Sequence, residues 1–249
     1  MILIDNLSIR TRNGARLLET ISVGFEAGKV HAIVGPNGSG KTTLLRAICR
    51  LISPTSGTIS IDHRNIADSS QFDLASRISW TESEHMSPFA YSVEDTILWG
   101  RWPQHQGLPS FIDRKHMREA AECVGVAEML NRPVTNLSLG ERKKTHLAKS
   151  LASGATHLIW DEPCAPLDIR ASLNVLEIAK SRSKLGQTII LSIHDITMAE
   201  RYADSITILK QGQLVWNGNP KDEPCIPHLE ATFDVKINRS GQTLRFDPS

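Results

Sequence analysis

The chain has 249 residues, 40% of them hydrophobic, and its 28 basic and 27 acidic residues leave a formal net charge of +1. This length is enough for one large domain, and the balanced charge lacks the basic excess typical of nucleic-acid-binding proteins, so we expect no nucleic-acid partner. No stretch approaches the roughly 18–20 consecutive apolar residues that span a bilayer, and the early Asp5 is unlike a secretory signal. The four scattered cysteines predict reduced thiols rather than disulfides.

The first third of the chain predicts strands followed by a helix. The apolar run Val30–Val34 is typical of a buried strand. The segment GPNGSGKTT follows it, and apolar residues then recur at helical spacing from Leu44 to Leu51. Thr58–Ile61 predicts a further strand after the turn-rich residues 53–57.

The segment between that strand and helix matches the phosphate-binding pattern GxxxxGK(S/T). Its glycines let backbone N–H groups converge on phosphate oxygens at the positive end of a helix. We expect Lys41 to reach the β- and γ-phosphates of ATP and to act in catalysis, and Thr42 to bind Mg²⁺. A simple glycine-rich turn is the weaker interpretation, because the required strand and helix flank the motif. The predicted nucleotide-binding residues here are Gly35, Pro36, Asn37, Gly38, Ser39, Gly40, Lys41, Thr42 and Thr43.

The middle of the chain changes to helical patterns with prolines and tryptophans. Ser92–Asp95 resembles a capping box that opens a helix, and a second amphipathic helix from Met117 to Val124 is ended by Gly125. We therefore predict a helical subdomain at approximately 84–155, inserted in a single domain that spans 1–249.

Strands and helices alternate again after this insert. His157–Trp160 and Thr188–Ile193 predict buried strands, Ala171–Lys184 and 195–202 predict helices, and 205–216 predicts a hairpin. Such alternation predicts an α/β fold with a mostly parallel sheet joined by right-handed crossovers.

Polar residues follow two of these strands directly. Asp161 and Glu162 end the first, where open α/β sheets bind their ligands, and we expect Asp161 to bind Mg²⁺ and Glu162 to orient or deprotonate the attacking water. His194 ends the second and is a candidate partner of the γ-phosphate. A solvated strand end and an ordinary histidine are the structural alternatives.

A further motif precedes the next helix. Ser138 and Glu141 match a capping box, which indicates a helix start and also an N-terminus able to bind a phosphate.

The order of these motifs, with Leu137–Glu141 before the acidic pair and Leu167-Asp168 after it, resembles the nucleotide-binding subunits of ATP-binding cassette (ABC) transporters. That resemblance implies a P-loop NTPase core with an antiparallel β portion and a helical signature subdomain. It implies a head-to-tail dimer with a second copy, in which Ser138 and Gly140 contact the ATP of the partner and Asp168 lies in a loop joining the two sites.

Two shorter motifs resemble one group of proteins within this family. Ser92–Asp95 with Gly100-Arg101-Trp102-Pro103, and the short tail after Val215–Pro220, are similar to importer ATPases for iron–siderophore complexes, haem and cobalamin. This implies transmembrane permease subunits as partners, a substrate-binding protein as an indirect partner, and a peripheral position on the cytoplasmic face of the cell membrane. Another importer, an exporter, or a degenerate ATP-dependent switch with little hydrolysis are the alternatives.

Three positions depart from the family pattern. Ser83 stands where the family has a glutamine that links Mg²⁺ to the transporter contact, and a serine is at most a weak metal partner. Leu139 replaces a signature glycine. The aromatic residue that stacks on adenine has no clear equivalent, and Arg10, Arg12 or Arg16 are candidates to replace it.

Overall fold

The computed structural model describes residues 1–82, 89–105, 107–222, 225–240 and 243–248. Within these ranges no helix combines the length and apolar character needed to cross a membrane.

The described strands form three sheets of four, six and two strands. They are β1 (Ile2–Arg10), β2 (Arg16–Phe25), β3 (Val30–Val34), β4 (Ser56–Ile61), β5 (Arg64–Asn65), β6 (Ile78–Thr81), β7 (His157–Trp160), β8 (Thr188–Ser192), β9 (Ser205–Lys210), β10 (Gln213–Gly218), β11 (Val235–Ser240) and β12 (Thr243–Pro248).

The described α-helices lie mostly between β6 and β7 and after β7. They are α1 (Lys41–Ile48), α2 (Gln71–Arg77), α3 (Val93–Leu98), α4 (Trp102–His105), α5 (Phe111–Val124), α6 (Leu139–Ala152), α7 (Ile169–Lys184), α8 (Ile196–Tyr202) and α9 (Cys225–Phe233).

The six-stranded sheet has the order β10-β9-β3-β8-β7-β6. All neighbours in it run parallel except β9 and β10, which form the predicted hairpin. A second sheet, β2-β1-β4-β5, is antiparallel. The predicted α/β class, with a parallel sheet and an antiparallel portion, is confirmed.

Both faces of the central strands β3, β7 and β8 are buried, and most of their residues are apolar. Ile159 of β7 faces a core shared with α1 and the antiparallel sheet, whereas its neighbours Leu158 and Trp160 face a core shared with the helices on the other side. Side chains alternate along a strand, so each strand supplies both cores. The parallel direction brings the carboxyl ends of β3, β7 and β8 to one edge, where the polar motifs lie.

The first helix is shorter than its apolar pattern predicts. The helix α1 ends at Ile48, and Leu51 is 56% exposed instead of buried. Arg50 takes a left-handed conformation with φ 55°, which turns the chain out of the helix before Leu51 is reached.

Between β6 and β7, the described residues 89–105 and 107–156 form helices and turns. Ser92 caps α3 by accepting a hydrogen bond from the Asp95 N–H at 3.0 Å. Arg101, from the GRWP motif, is buried, and its Nε donates to Asp113 Oδ1 at 2.9 Å while Nη1 donates to the carbonyl of Ala152 at 3.1 Å. Arg101 therefore ties the segment just before α4 to helices α5 and α6.

We expect Arg101→Met to lower the free energy of unfolding by about 3 kcal/mol, because it leaves the Asp113 carboxylate buried without its cation. Burial opposes ionisation of Asp113, but hydrogen bonds from Ser110 and Arg101 outweigh it and lower the pKa of Asp113 to about 2. A depressed carboxyl pKa contributes stability above the unfolded pKa of about 4, and this contribution is lost as the pH falls toward 2. Urea unfolding between pH 7 and pH 3 measures both effects.

Arg114→Met is the matched control, since Arg114 pairs with Glu94 on the surface and is 54% exposed. Its free energy of unfolding should change by less than about 1 kcal/mol. Equal destabilisation by the two substitutions would contradict a special role for the buried pair.

Candidate functional site

The phosphate-binding segment occupies the turn between β3 and α1. Gly35 directly follows β3, and a methyl group there would lie 2.2 Å from the carbonyl oxygen of Leu209. Gly40, the residue before α1, has φ 105° and would bring a methyl group within 2.6 Å of Leu18. Only glycine fits these two positions, because one lacks space and the other also needs a left-handed backbone.

Lys41 begins α1 and lies folded against this loop. Its Nζ donates to the carbonyl of Gly35 at 2.8 Å and to that of Pro36 at 3.1 Å, and the residue is 6% exposed. Burial lowers the pKa of Lys41, and the nearby carboxylates of Glu162 and Asp161 partly oppose that shift. The ammonium group is thus held at the loop with acidic residues close by.

Asp161 is the centre of a hydrogen-bonded group at the strand ends. It is 1% exposed, and its Oδ2 accepts from the Thr42 hydroxyl at 2.8 Å while its Oδ1 accepts from the Ser192 hydroxyl at 2.6 Å. The Ser192 hydroxyl also accepts from the N–H of Glu162 at 2.8 Å. These contacts connect α1 with the carboxyl ends of β7 and β8.

Glu162 is turned to the same edge by its backbone. Its φ of 47° is left-handed, a conformation that costs about 1 kcal/mol or more in a residue other than glycine. Its Oε1 accepts a hydrogen bond from His194 Nε2 at 2.7 Å. The structure therefore pairs Glu162 with His194 directly and places both at the sheet edge that carries Asp161.

A cavity of about 490 Å³ lies beside the loop. Its lining includes most of the predicted nucleotide-binding residues together with Glu162, while Gly35 and Pro36 contribute through the carbonyl contacts with Lys41. Arg16 also lines it, whereas Arg10 and Arg12 are not among the described residues that do. The full lining is Arg16, Leu17, Asn37, Gly38, Ser39, Gly40, Lys41, Thr42, Thr43, Glu162, Gln211 and Gly212.

The chemistry of this cavity suits a phosphate chain and a magnesium ion. The buried Ser39 hydroxyl has no hydrogen-bond partner among the residues that the structure describes, which is unusual for a buried polar atom and leaves it available to an anion. Thr42 and Asp161 offer hydroxyl and carboxylate oxygens, the hard ligands that Mg²⁺ prefers. Ser83, the remaining predicted metal partner, lies outside the described residues.

Comparisons with known proteins agree with this geometry. The family profile described as ABC transporter matches residues 18–165. The petrobactin import ATP-binding protein YclP of Bacillus subtilis is 31% identical over 238 residues, which cover 95% of this chain and 94% of that protein. The hemin import ATP-binding protein HmuV of Rhodococcus jostii is 34% identical over 218 residues, covering 88% and 74%. The chain belongs to the ABC transporter family.

A solved structure supports the same conclusion. The cbiO1 protein of Clostridium perfringens, described as part of the ABC transporter complex cbiONQ, has a TM-score of 0.78 and 27% identity over 94% of each chain. The predicted membership of the ABC family and the predicted ATPase activity are confirmed, and the fold is that of an ABC ATPase cassette.

The signature segment of this ABC subunit forms the start of α6. Ser138 and Glu141 make the predicted capping box, with the Glu141 carboxylate accepting from the N–H of Ser138 at 2.8 Å. Leu139 is 64% exposed, and a methyl group at Gly140 would meet Leu167 at 3.5 Å. Within one chain, neither Ser138 nor Gly140 lines the cavity beside the P-loop.

Asp168 has a local structural role in the same neighbourhood. It is the N-cap of α7, and its carboxylate accepts from the N–H of Ala171 at 2.7 Å. The cap fixes the direction in which the chain enters α7.

Sequence reasoning missed four residues that contribute to the ABC site. Ser192 lies in an otherwise apolar strand pattern and was interpreted as part of the core. A single polar residue at the end of such a strand is itself an indication of a functional contact. Lys143 donates to the carbonyl of Asp161 from a helix position that reads as ordinary surface. The turn residues Gln211 and Gly212 line the P-loop cavity from more than 160 positions away, and no local pattern indicates that.

Proposed function

We propose that the chain is the ATP-hydrolysing subunit of an ABC importer for metal chelates of the iron–siderophore, haem or cobalamin type. The observation that carries the hydrolytic part is the hydrogen-bonded group of Thr42, Asp161, Ser192, Glu162 and His194 at the edge of the P-loop cavity. The names of the relatives, a hemin and a petrobactin import protein, support the substrate class.

The residues at the cavity have distinct proposed roles. The loop residues 35–43 surround the phosphates, all of them except Pro36 offer a backbone N–H group, and Lys41 neutralises the phosphate charge. Glu162 orients the attacking water and accepts its proton. His194 donates a hydrogen bond that fixes the Glu162 carboxylate, and its ring is 47% exposed and thus accessible to a terminal phosphate.

Magnesium binding is proposed at Thr42 and Asp161. Mg²⁺ supplies Lewis-acid stabilisation of the charge on the phosphate oxygens when it is bound. The chain contributes two oxygen atoms that already lie 2.8 Å apart. Ser83 is proposed as a third, weak ligand of the magnesium ion.

A second copy of the chain is proposed to complete each site. The signature residues Ser138 and Gly140 lie at the start of α6 and outside the P-loop cavity of their own chain. The N–H groups at this helix start therefore serve the phosphates of a partner chain, arranged head to tail. Asp168 positions the loop that connects the two sites.

The membrane subunits are proposed to contact the helical subdomain at 84–155. The protein lies peripherally on the cytoplasmic face of the cell membrane, bound to transmembrane permease subunits. A substrate-binding protein is an indirect partner, which delivers the substrate to the permease.

A second candidate function is an ATP-dependent switch that hardly hydrolyses. The exposed Leu139 favours it, because a leucine replaces a glycine where the family pattern keeps the phosphate-facing backbone open.

Reconstitution with candidate permease subunits of the same organism tests the proposal. We expect multiple-turnover phosphate release in proteoliposomes, and uptake of an iron chelate, haem or cobalamin that stops when ATP is omitted. Phosphate release limited to one turnover would favour the switch, and active hydrolysis with outward transport only would contradict import.

A further inference from the structure

Lys143 is a buried cation on the signature helix. It lies in the second turn of α6 and is 5% exposed. A lysine is almost never this buried unless its ammonium group is well satisfied. Its burial therefore requires specific hydrogen-bond acceptors around the ammonium group.

The ammonium group joins the ends of two neighbouring strands. Lys143 Nζ donates to the carbonyl of Glu82, just after β6, and to the carbonyl of Asp161, just after β7, both at 2.9 Å. The same two strand ends are linked by the N–H of Asp161, which donates to the carbonyl of Thr81 at 2.8 Å. Burial lowers the pKa of Lys143 to about 8, while Asp161, Glu162 and Cys164 favour its charged form.

Glu82 extends this connection to the P-loop helix. Its carboxylate lies 3.5 Å from Arg46 on α1, while its carbonyl accepts from Lys143 on α6. One residue thus contacts both the helix that follows the P-loop and the helix that begins with the signature segment.

We propose that Lys143 is a positioning residue that couples the signature helix to the Mg²⁺- and water-binding end of β7. The inference rests on the proposed roles of Asp161 and Glu162. Lys143 lies five residues after Ser138, about 7.5 Å along the helix axis, so both move as parts of one rigid element. A shift of the signature segment is transmitted through Nζ to the backbone of Asp161, whose carboxylate is held by Thr42 and Ser192.

The test compares Lys143→Met, which keeps the length and removes the charge and donors, with Lys143→Gln, which retains an N–H₂ donor. Lys144→Met is the matched control, because Lys144 is the neighbouring, half-exposed lysine of the same helix. Three quantities are measured: amide hydrogen exchange of residues 78–82 and 157–162 without nucleotide, the affinity for ATP without Mg²⁺, and kcat with the permease.

In Lys143→Met we expect faster exchange at both strand ends and a kcat about tenfold to a hundredfold lower, because small displacements of catalytic groups have effects of that size. The affinity for ATP should stay within about threefold, since the P-loop contacts do not involve Lys143. Lys143→Gln should restore part of kcat, and Lys144→Met should match the wild type in all three measurements.

Unchanged exchange at the strand ends, or an unchanged kcat despite faster exchange, would overturn the proposal. A parallel fall of ATP affinity and kcat in both Lys143 variants would also overturn it, as a general folding defect. Absence of hydrolysis by the wild type would instead contradict the proposed function, and the exchange measurement would still decide whether Lys143 anchors the strand ends.

Discussion

Replacing Glu162 by glutamine should lower kcat for ATP hydrolysis by about a hundredfold or more, the typical contribution of a positioned general base. The glutamine amide has the same size and still accepts the hydrogen bond that His194 donates to Oε1, so the local geometry is kept. It cannot accept a proton from water. Steady-state phosphate release with the permease measures the effect.

The affinity for ATP separates this effect from a folding defect. Glu162→Gln should bind ATP within about twofold of the wild type, because a loss confined to kcat reflects an interaction made in the transition state. Glu122→Gln, at an exposed position of α5, is the matched control and should hydrolyse at the wild-type rate. Wild-type hydrolysis by Glu162→Gln would show that another group activates the water.

Replacing Lys41 by methionine should weaken ATP binding by about a hundredfold, or about 3 kcal/mol, the upper range for a hydrogen bond to a charged group. The side chain is 6% exposed, so in its proposed role the ammonium group would act on phosphate oxygens with little competition from water. Equilibrium titration with a fluorescent ATP analogue measures the change.

Two controls distinguish the loss of a phosphate contact at Lys41 from other effects of the substitution. Lys115→Met removes a surface lysine that is 64% exposed and whose Nζ lies 3.9 Å from Glu119, a weak surface ion pair. This substitution should leave the affinity for ATP unchanged. The melting temperature without nucleotide should also be recorded, because Lys41 donates to Gly35 and Pro36 in the loop itself. Tight ATP binding by Lys41→Met would contradict the assignment of the phosphate site.

The phosphate loop shows which predictions depend on local sequence alone. A strand, a glycine-rich turn and a helix follow one another in 19 residues from Val30 to Ile48, and each element has its own composition signal. The capping box at Ser138 and the hairpin of β9 and β10 are equally local, and the structure has both.

The exact end of a helix and the contacts between residues far apart in the chain could not be predicted from local sequence patterns. The early end of α1 follows from one left-handed residue, Arg50, that carries no glycine or proline signal. Arg16 was one of three candidate arginines, and only the position of β2 beside the P-loop places it at the cavity.

The sequence by itself determined that this protein has a phosphate loop, an acidic strand end and a histidine strand end, because each is a short contiguous pattern. Only the tertiary structure decided how they are connected. Ser192 bridges Asp161 and Glu162, and Lys143 reaches the same strand end from another helix. Such contacts join residues 18 to 31 positions apart. The parallel pairing of β7 and β8 fixes the distance from Ser192 to Asp161, and the packing of α6 against the sheet fixes that from Lys143.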